Sequence, residues 1–285
     1  MLTAEQVHEY WDHGHSIFHG FLSTSEVEAM LADIDAISGA ATLANHDASR
    51  MEMEPNQGPE GKSVRRIYEP CTHYPRFRSL SESQKLLDVA EQLVGPNLLF
   101  HYSKVNMKPP MIGSVVEWHQ DLTYYPLTNS DSLTVLFYLD DADSMNGCLK
   151  VIPNLHREPP LDHTLNGIFQ GRVTQAVDDS HAVFLEGKAG SAIFMHSLTP
   201  HASAPNNSPK PRRTLILSYR AADAFPIHFG PRTHENEAHV RLVRGEPSRT
   251  ARFTFRSFPI PQFPQQTKSL YELQEYSRRE HEARD

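Results

Sequence analysis

The sequence predicts a mainly β fold of antiparallel strands, a sandwich or small barrel, with α-helices on its flank. Two observations predict it. From residue 97 onward, short strand-like runs recur at 98–105, 115–120, 132–139, 148–152, 191–196 and 213–219, separated by clusters of Pro, Asn, Asp and Gly. Before residue 97 the apolar residues instead recur every three or four positions, the period of a helix with one packed face.

Taken in order, Thr3 is placed to cap a helix that begins at Ala4. A short strand is expected over 16–22. Ser23 or Ser25 then caps a second helix, whose apolar face carries Val27, Met30, Leu31, Ile34 and Ile37. Residues 40–65 are rich in Asn, Glu, Gln and Gly and predict a long loop or lid. A third helix is expected over 82–93, closing at Gly95-Pro96. The tail after residue 225 is proline-rich through Pro264 and ends in a charged, exposed helix over Leu270–Glu282. No internal repeat and no linker-like stretch divides the chain. One domain is expected over 1–285: a mainly helical part to 95, a β core over 96–225, and a C-terminal extension over 226–285.

The chain has 285 residues, 39% hydrophobic and 22% charged, with a net charge of −8. That is ample core material for a soluble globular protein, and it excludes a disordered or fibrous one. Net negative charge argues against nucleic acid as a partner, because phosphate contacts need a basic surface. Two cysteines, Cys71 and Cys148, cannot make a disulfide framework. The apolar runs are too short to span a bilayer, and Glu5, Glu9 and Asp12 occupy the place where a secretion signal would be apolar. A cytoplasmic protein acting on a small molecule, away from membranes, is the expectation.

Seventeen histidines make metal chemistry worth testing, and spacing has to decide. In an extended strand, residues i and i+2 share a face. His119 and Asp121 therefore present an imidazole and a carboxylate side by side, two thirds of a facial triad for iron(II). A later run, Ser191 to His196, leads to His201, with Arg212 eleven residues further on. A distal arginine suits 2-oxoglutarate: the metal chelates its oxo-acid end, and the far carboxylate needs a bidentate, permanently charged partner. Gly61-Lys62-Ser63 only imitates a phosphate loop, since position 56 is Asn. No Gly-x-Ser-x-Gly elbow is present. The basic run Lys62, Arg65, Arg66, Arg76 and Arg78 reads as a solvated face, with the entrance for an anionic substrate as the alternative.

The stretch His119-Gln120-Asp121-Leu122 with Tyr125-Pro126 resembles the phytanoyl-CoA dioxygenase family. So do Asn146 to His156, and Phe194 through His201-Ala202-Ser203 to Pro211-Arg212-Arg213. The resemblance covers about residues 5–225 and is densest over 101–220. It implies a double-stranded β-helix (jelly-roll, cupin-like) core using iron(II), O2 and 2-oxoglutarate, with release of succinate and CO2 and oxidation, by default hydroxylation, of an unactivated C–H bond. By position, His119, Asp121 and His201 match the iron ligands and Arg212 the cosubstrate anchor. His196 competes for the distal role, but His201 holds the slot eleven before Arg212. Gln120 and Ser203 fall where the family has polar groups near the cosubstrate. Phe137 replaces a tryptophan found near it in some relatives. Lys108 matches a recurrent strand-end lysine, and Arg66 is a weak match for a lysine partner. Tyr102, Lys104 and Thr134 are further pocket candidates, on strands expected to line the barrel. Halogenases of this broad class have Gly or Ala in place of the carboxylate ligand, so Asp121 favours oxygenation. A cupin-like isomerase or hydrolase with the same ligands and no 2-oxoglutarate is the alternative.

Overall fold

Thr3 opens α1 (Ala4–His13) through a reciprocal cap: the Gln6 amide N–H donates to its hydroxyl, and its own N–H donates to the Gln6 side chain. Ser23 and Glu26 repeat the device at the start of α2 (Thr24–Ser38). Between the two helices runs β1 (His15–Phe18), shorter than expected because Gly20, at φ 65°, ends it in a turn. The structure, a computed structural model, describes residues 1–227, 237–260, 262 and 270–282.

Residues 40–65 are largely loop, as expected, with one departure. β2 (Met51–Met53) and β3 (Val64–Tyr68) pair antiparallel there, and β3 joins the edge of a large sheet. Met51 and Met53 are buried on either side of Glu52, an alternation too short to be read within so polar a stretch. Arg65 and Arg66 are likewise buried, which corrects the solvated reading for these two, while Lys62, Arg76 and Arg78 are exposed as expected. Two short helices, α3 (Pro70–His73) and α4 (Pro75–Ser81), precede α5 (Gln84–Val94).

The β core follows as β4 (Leu98–Lys108), β5 (Val116–His119), β6 (Ser132–Tyr138), β7 (Leu149–Val151), β8 (Thr164–Leu165), β9 (Ile168–Phe169), β10 (Val183–Leu185), β11 (Ala192–His196), β12 (His201–Ser203), β13 (Arg212–Ala221) and β14 (Arg241–Arg244). The large sheet has the order β1-β11-β6-β13-β4-β3-β2, with β14 also on β4. A smaller sheet runs β10-β7-β12-β5, and every pairing in both is antiparallel. Two facing sheets of this kind form the jelly roll.

Period-two alternation assigns each strand's side chains to one of two cores. On β6, Leu133, Val135 and Phe137 face outward and pack with Phe21, Val27, Met30 and Leu86 from the helical layer. Leu136 and Tyr138 face inward, with Leu149, Val151, Met195 and Ile216, into the space between the sheets. Both faces being covered, β6 is buried along its whole length and reads as a continuous apolar run.

The last helix, α6 (Leu270–Glu282), is not simply exposed. Tyr271, Leu273, Gln274 and Ser277 are buried, Gln274 accepts from the Glu117 N–H (3.0 Å), and Arg278 pairs with Glu117 (2.9 Å). Its anchors are mostly polar, so a hydrophobic pattern could not reveal them. The proline-rich stretch before it lies partly outside the described residues, among which no helix is long and apolar enough to cross a membrane.

Candidate metal and cosubstrate site

The pairing of β5 with β12 places His119 directly opposite His201. Gln120 stays extended (φ −123°, ψ 127°), so Asp121, although already in a 3-10 turn, returns to the face His119 occupies. One ligand atom from each of His119, Asp121 and His201 lies within 4.8 Å of the others. The Asp121 Oδ1 is 3.8 Å from Nε2 of both histidines. His119 donates from Nδ1 to the Glu117 carbonyl (2.8 Å), and His201 donates from Nδ1 to the Thr199 carbonyl (3.0 Å). Each bond leaves Nε2 as the lone-pair nitrogen aimed at the common point.

Electrostatics agree with that geometry. Burial, reinforced by the facing His201, holds the His119 imidazolium well below its ordinary range, and burial also lowers His201. Burial alone would raise the Asp121 carboxyl, but His201, Lys104, His119 and the Thr134 hydroxyl outweigh it and carry it below the usual carboxylate range. Two neutral imidazoles and one carboxylate on one face form a donor set suited to iron(II) with open positions.

The triad opens on a pocket walled by Leu136, Leu149, Met195 and Ile216 and by the polar side chains discussed below. Arg212, buried and at the start of β13, lines it. One guanidinium nitrogen donates to the Gly147 carbonyl (2.7 Å) and another to Thr214 Oγ1 (3.3 Å), while Nε is buried with no partner. A buried orphan donor on a cation fits a carboxylate arriving from the pocket. Neighbouring Arg213 points the other way and forms a bidentate pair with Asp140 (2.9 and 2.8 Å).

The structure brings several other expected residues to this pocket. Ser203 lines it, two residues on from His201, as do Lys104, Lys108 and Thr134. Thr134 touches the triad itself: its hydroxyl donates to Asp121 Oδ2 (2.7 Å), positioning the ligand rather than the cosubstrate. Lys108 gives hydrogen bonds to the Ser114 and Ala204 carbonyls (2.5 and 2.6 Å), which ties neighbouring loops together beside Arg212. Tyr102 lies below Lys104, whose ammonium sits 5.3 Å from its ring centroid, and does not line the pocket. Arg66 stands behind the wall, bonded to Asn106 (3.0 Å).

Two expectations are corrected, both by strand parity. Phe137 is three residues from Thr134, hence on the opposite face, where it packs on Phe21 at 5.6 Å between ring centroids. Gln120 lies between two inward residues and points outward, donating to the Leu198 carbonyl (2.6 Å) and accepting from the Leu161 N–H (2.8 Å). His196 is also directed away, against Tyr10 and His156, where burial pulls it down to about 3.

Three polar lining residues were missed. Asn106 and Thr214 were legible by parity, lying between Lys104 and Lys108 and two residues after Arg212. Tyr271 comes from α6, and no local signal places it there.

Two predictions arise here. Thr134→Val removes the bond that orients Asp121, and iron(II) affinity is expected to fall about 10- to 100-fold with the fold retained, read by metal titration. Gly147 adopts φ 75°, and a Cβ there would collide with the Ala204 carbonyl oxygen. Gly147→Ala is therefore expected to cost more than about 1 kcal/mol in denaturant unfolding. It should also weaken 2-oxoglutarate binding, because the Gly147 carbonyl positions Arg212.

Residues 10–214 match the family model for phytanoyl-CoA dioxygenase (PhyH). A probable alpha-ketoglutarate-dependent hypophosphite dioxygenase of Stutzerimonas stutzeri is 34% identical over 233 residues, 79% of this chain and 81% of that protein. A methylphosphonate hydroxylase of Gimesia maris is 29% identical over 220 residues, 77% of this chain and 81% of the relative. Iron-bound EctD from S. alaskensis has the same fold, with a TM-score of 0.68 at 23% identity over 87% of this chain and 88% of that one. The match over most of the chain, the triad and the orphaned arginine agree: the chain belongs to the phytanoyl-CoA dioxygenase family and is an iron(II)- and 2-oxoglutarate-dependent dioxygenase.

Proposed function

We propose that His119, Asp121 and His201 hold the iron, that Arg212 anchors the distal carboxylate of 2-oxoglutarate, and that the enzyme hydroxylates a small molecule in the cytoplasm as one domain. The observation that carries the reading is the convergence of two Nε2 atoms and one carboxylate oxygen beside a buried arginine whose Nε has no partner. When bound, iron(II) with 2-oxoglutarate and O2 supplies the oxidising chemistry, and succinate and CO2 leave.

The chain's own part is to bind, orient and keep water out. The Glu117 and Thr199 carbonyls fix the imidazole tautomers, and Thr134 fixes the carboxylate. Arg212, steered by the Gly147 carbonyl, sets the direction in which 2-oxoglutarate lies. The apolar wall around Leu136, Met195 and Ile216 limits solvent at the reacting end. A largely buried pocket between two strand layers suits a small substrate beside 2-oxoglutarate. Hypophosphite and methylphosphonate, in the names of two relatives, are small substrates. Both cysteines are buried free thiols, which suits a reducing compartment.

The test is anaerobic visible absorption of metal-free protein titrated with iron(II) and then 2-oxoglutarate. A metal-to-ligand charge-transfer band that requires both additions is expected. Tight iron binding without a band would overturn the cosubstrate assignment and favour the isomerase or hydrolase reading.

A further inference from the structure

The cations of the pocket are unusual in what they lack. Elsewhere in the molecule, several buried and half-buried arginines have carboxylate partners: Arg65 with Glu54 (2.9 Å), Arg213 with Asp140 (2.8 Å), Arg241 with Glu82 (2.6 Å) and Arg244 with Asp88 (2.8 Å). Among the described residues, no salt bridge joins a carboxylate to Lys104, Lys108 or Arg212 on the pocket wall. Glu52, which acts electrostatically on Arg66 behind that wall, also meets Arg65 (3.4 Å) and the Tyr68 hydroxyl (3.0 Å). Buried charge without a partner is costly, so a cluster of it marks where ligand anions belong.

2-Oxoglutarate does not use up this charge. Its two carboxylates cancel the two charges of iron(II), and the pocket wall sets Lys104 and Arg212 against the single carboxylate of Asp121, while burial and Arg212 hold the Lys108 ammonium well below the ordinary lysine range. Positive charge on the wall remains unmatched, with Arg66 adding to it from behind. Strand register shows where. Arg212 faces Lys108 across β13 and β4, at the end of the pocket assigned to the distal carboxylate. Lys104 is four residues back along β4, opposite Ile216, which in turn faces Leu136, one same-face step from Thr134 and the triad. Lys104 is thus close to the metal end and away from the cosubstrate anchor.

The groups around Lys104 are already arranged to donate. Arg66 Nε gives a hydrogen bond to Asn106 Oδ1 (3.0 Å), which turns the Asn106 amide so that its NH2 end is left for a ligand. The Arg66 guanidinium is fixed by the rings of Tyr68 and Tyr271, at 5.8 and 4.9 Å, and its buried Nη2 has no partner. Burial brings the Lys104 ammonium down to about 8, with Asp121 opposing the shift, so it remains mostly protonated at neutral pH.

We infer that Lys104 and Asn106, backed by Arg66 and closed over by Tyr271, form a subsite for a small phosphonate-like oxyanion, and that this head group holds the substrate's oxidisable bond at the metal. An ammonium and an amide on one strand, with a guanidinium behind them on the next, suit a tetrahedral head with several acceptor oxygens, and unmatched positive charge suits an oxyanion. The inference rests on the function proposed above.

The experiment uses full-length protein loaded anaerobically with iron(II) and 2-oxoglutarate, titrated with methylphosphonate, methanesulfonate, acetate and the neutral dimethyl ester of methylphosphonate. Binding is read by calorimetry and by the shift of the charge-transfer band. Methylphosphonate is expected to bind and shift the band, with the ester inert and the other anions weaker. Lys104→Met should weaken methylphosphonate about 10- to 100-fold, the loss of one charge-assisted hydrogen bond, and Lys104→Arg should recover part of it. Asn106→Asp, nearly isosteric, should abolish binding by pairing with Arg66 and repelling the anion. In all three variants the band formed by 2-oxoglutarate alone should persist, which also reports an intact fold. If wild type gives no band, the cosubstrate reading fails. If the band forms but methylphosphonate leaves it unchanged, or binds Lys104→Met equally well, the subsite is wrong. Equal or tighter binding of methanesulfonate or acetate would overturn the phosphonate assignment.

Discussion

Asp121→Ala is expected to leave a folded protein that binds iron(II) at least about 100-fold more weakly and releases no succinate above background. Loss of groups that merely orient a metal ligand already costs about 10- to 100-fold in affinity, and here the ligand itself is removed. The carboxylate is the only anionic donor of the triad, and it stands 3.8 Å from both imidazole Nε2 atoms. Without it two neutral nitrogens remain, and the Thr134 hydroxyl loses its acceptor. Equilibrium dialysis with iron(II) and a succinate assay measure the two effects, with circular dichroism as the check on folding. His119→Ala should behave alike. Wild-type iron affinity in either variant would remove these residues from the metal site.

Arg212→Ala should act on a different quantity. The KM for 2-oxoglutarate is expected to rise about 10- to 150-fold, corresponding to about 1.5–3 kcal/mol for a bidentate charged contact, with a much smaller change in kcat at saturation. Iron affinity without cosubstrate should stay near wild type, since Arg212 belongs to β13 of the large sheet and the two histidines to the small one. Arg212→Lys should recover only part of the loss: an ammonium can neutralise the carboxylate but cannot bond it through two parallel donors. An unchanged KM in Arg212→Ala would show that 2-oxoglutarate is anchored elsewhere.

The two corrections at the site share one cause. Thr134 and Phe137 were both assigned to the pocket, as were His119 and Gln120, yet in a strand neither pair can share a face. The alternation rule that put Asp121 beside His119 also places Gln120 outside; motif position overrode it for Gln120 and Phe137. Applied evenly, it would also have placed Asn106 between Lys104 and Lys108 and Thr214 after Arg212. These misses concern local information that was available.

Other features were beyond any local rule. β2 and β3 are short and set within a polar stretch, and they exist because the edge of β4 offers hydrogen bonds to an incoming strand. α6 has a polar surface on every reading of its sequence, and it is held by Gln274, Ser277 and Arg278 meeting Glu117, Gly171 and Arg172 more than a hundred residues earlier. The burial of Arg65 and Arg66 follows from both elements at once, since β3 joins the sheet edge and the Tyr271 ring of α6 packs near both guanidinium groups.

The sequence by itself determined the capped helices, the main strands of the core, and the order His119, Asp121, His201, Arg212, because caps, alternation and spacing act between residues close along the chain. Tertiary structure alone decided that His119 and His201 face each other across β5 and β12, that Arg212 is left with an unmatched donor, and that the pocket's cations have no carboxylate partners. Those outcomes depend on which distant strands become neighbours, and on the cost of burying charge once they do.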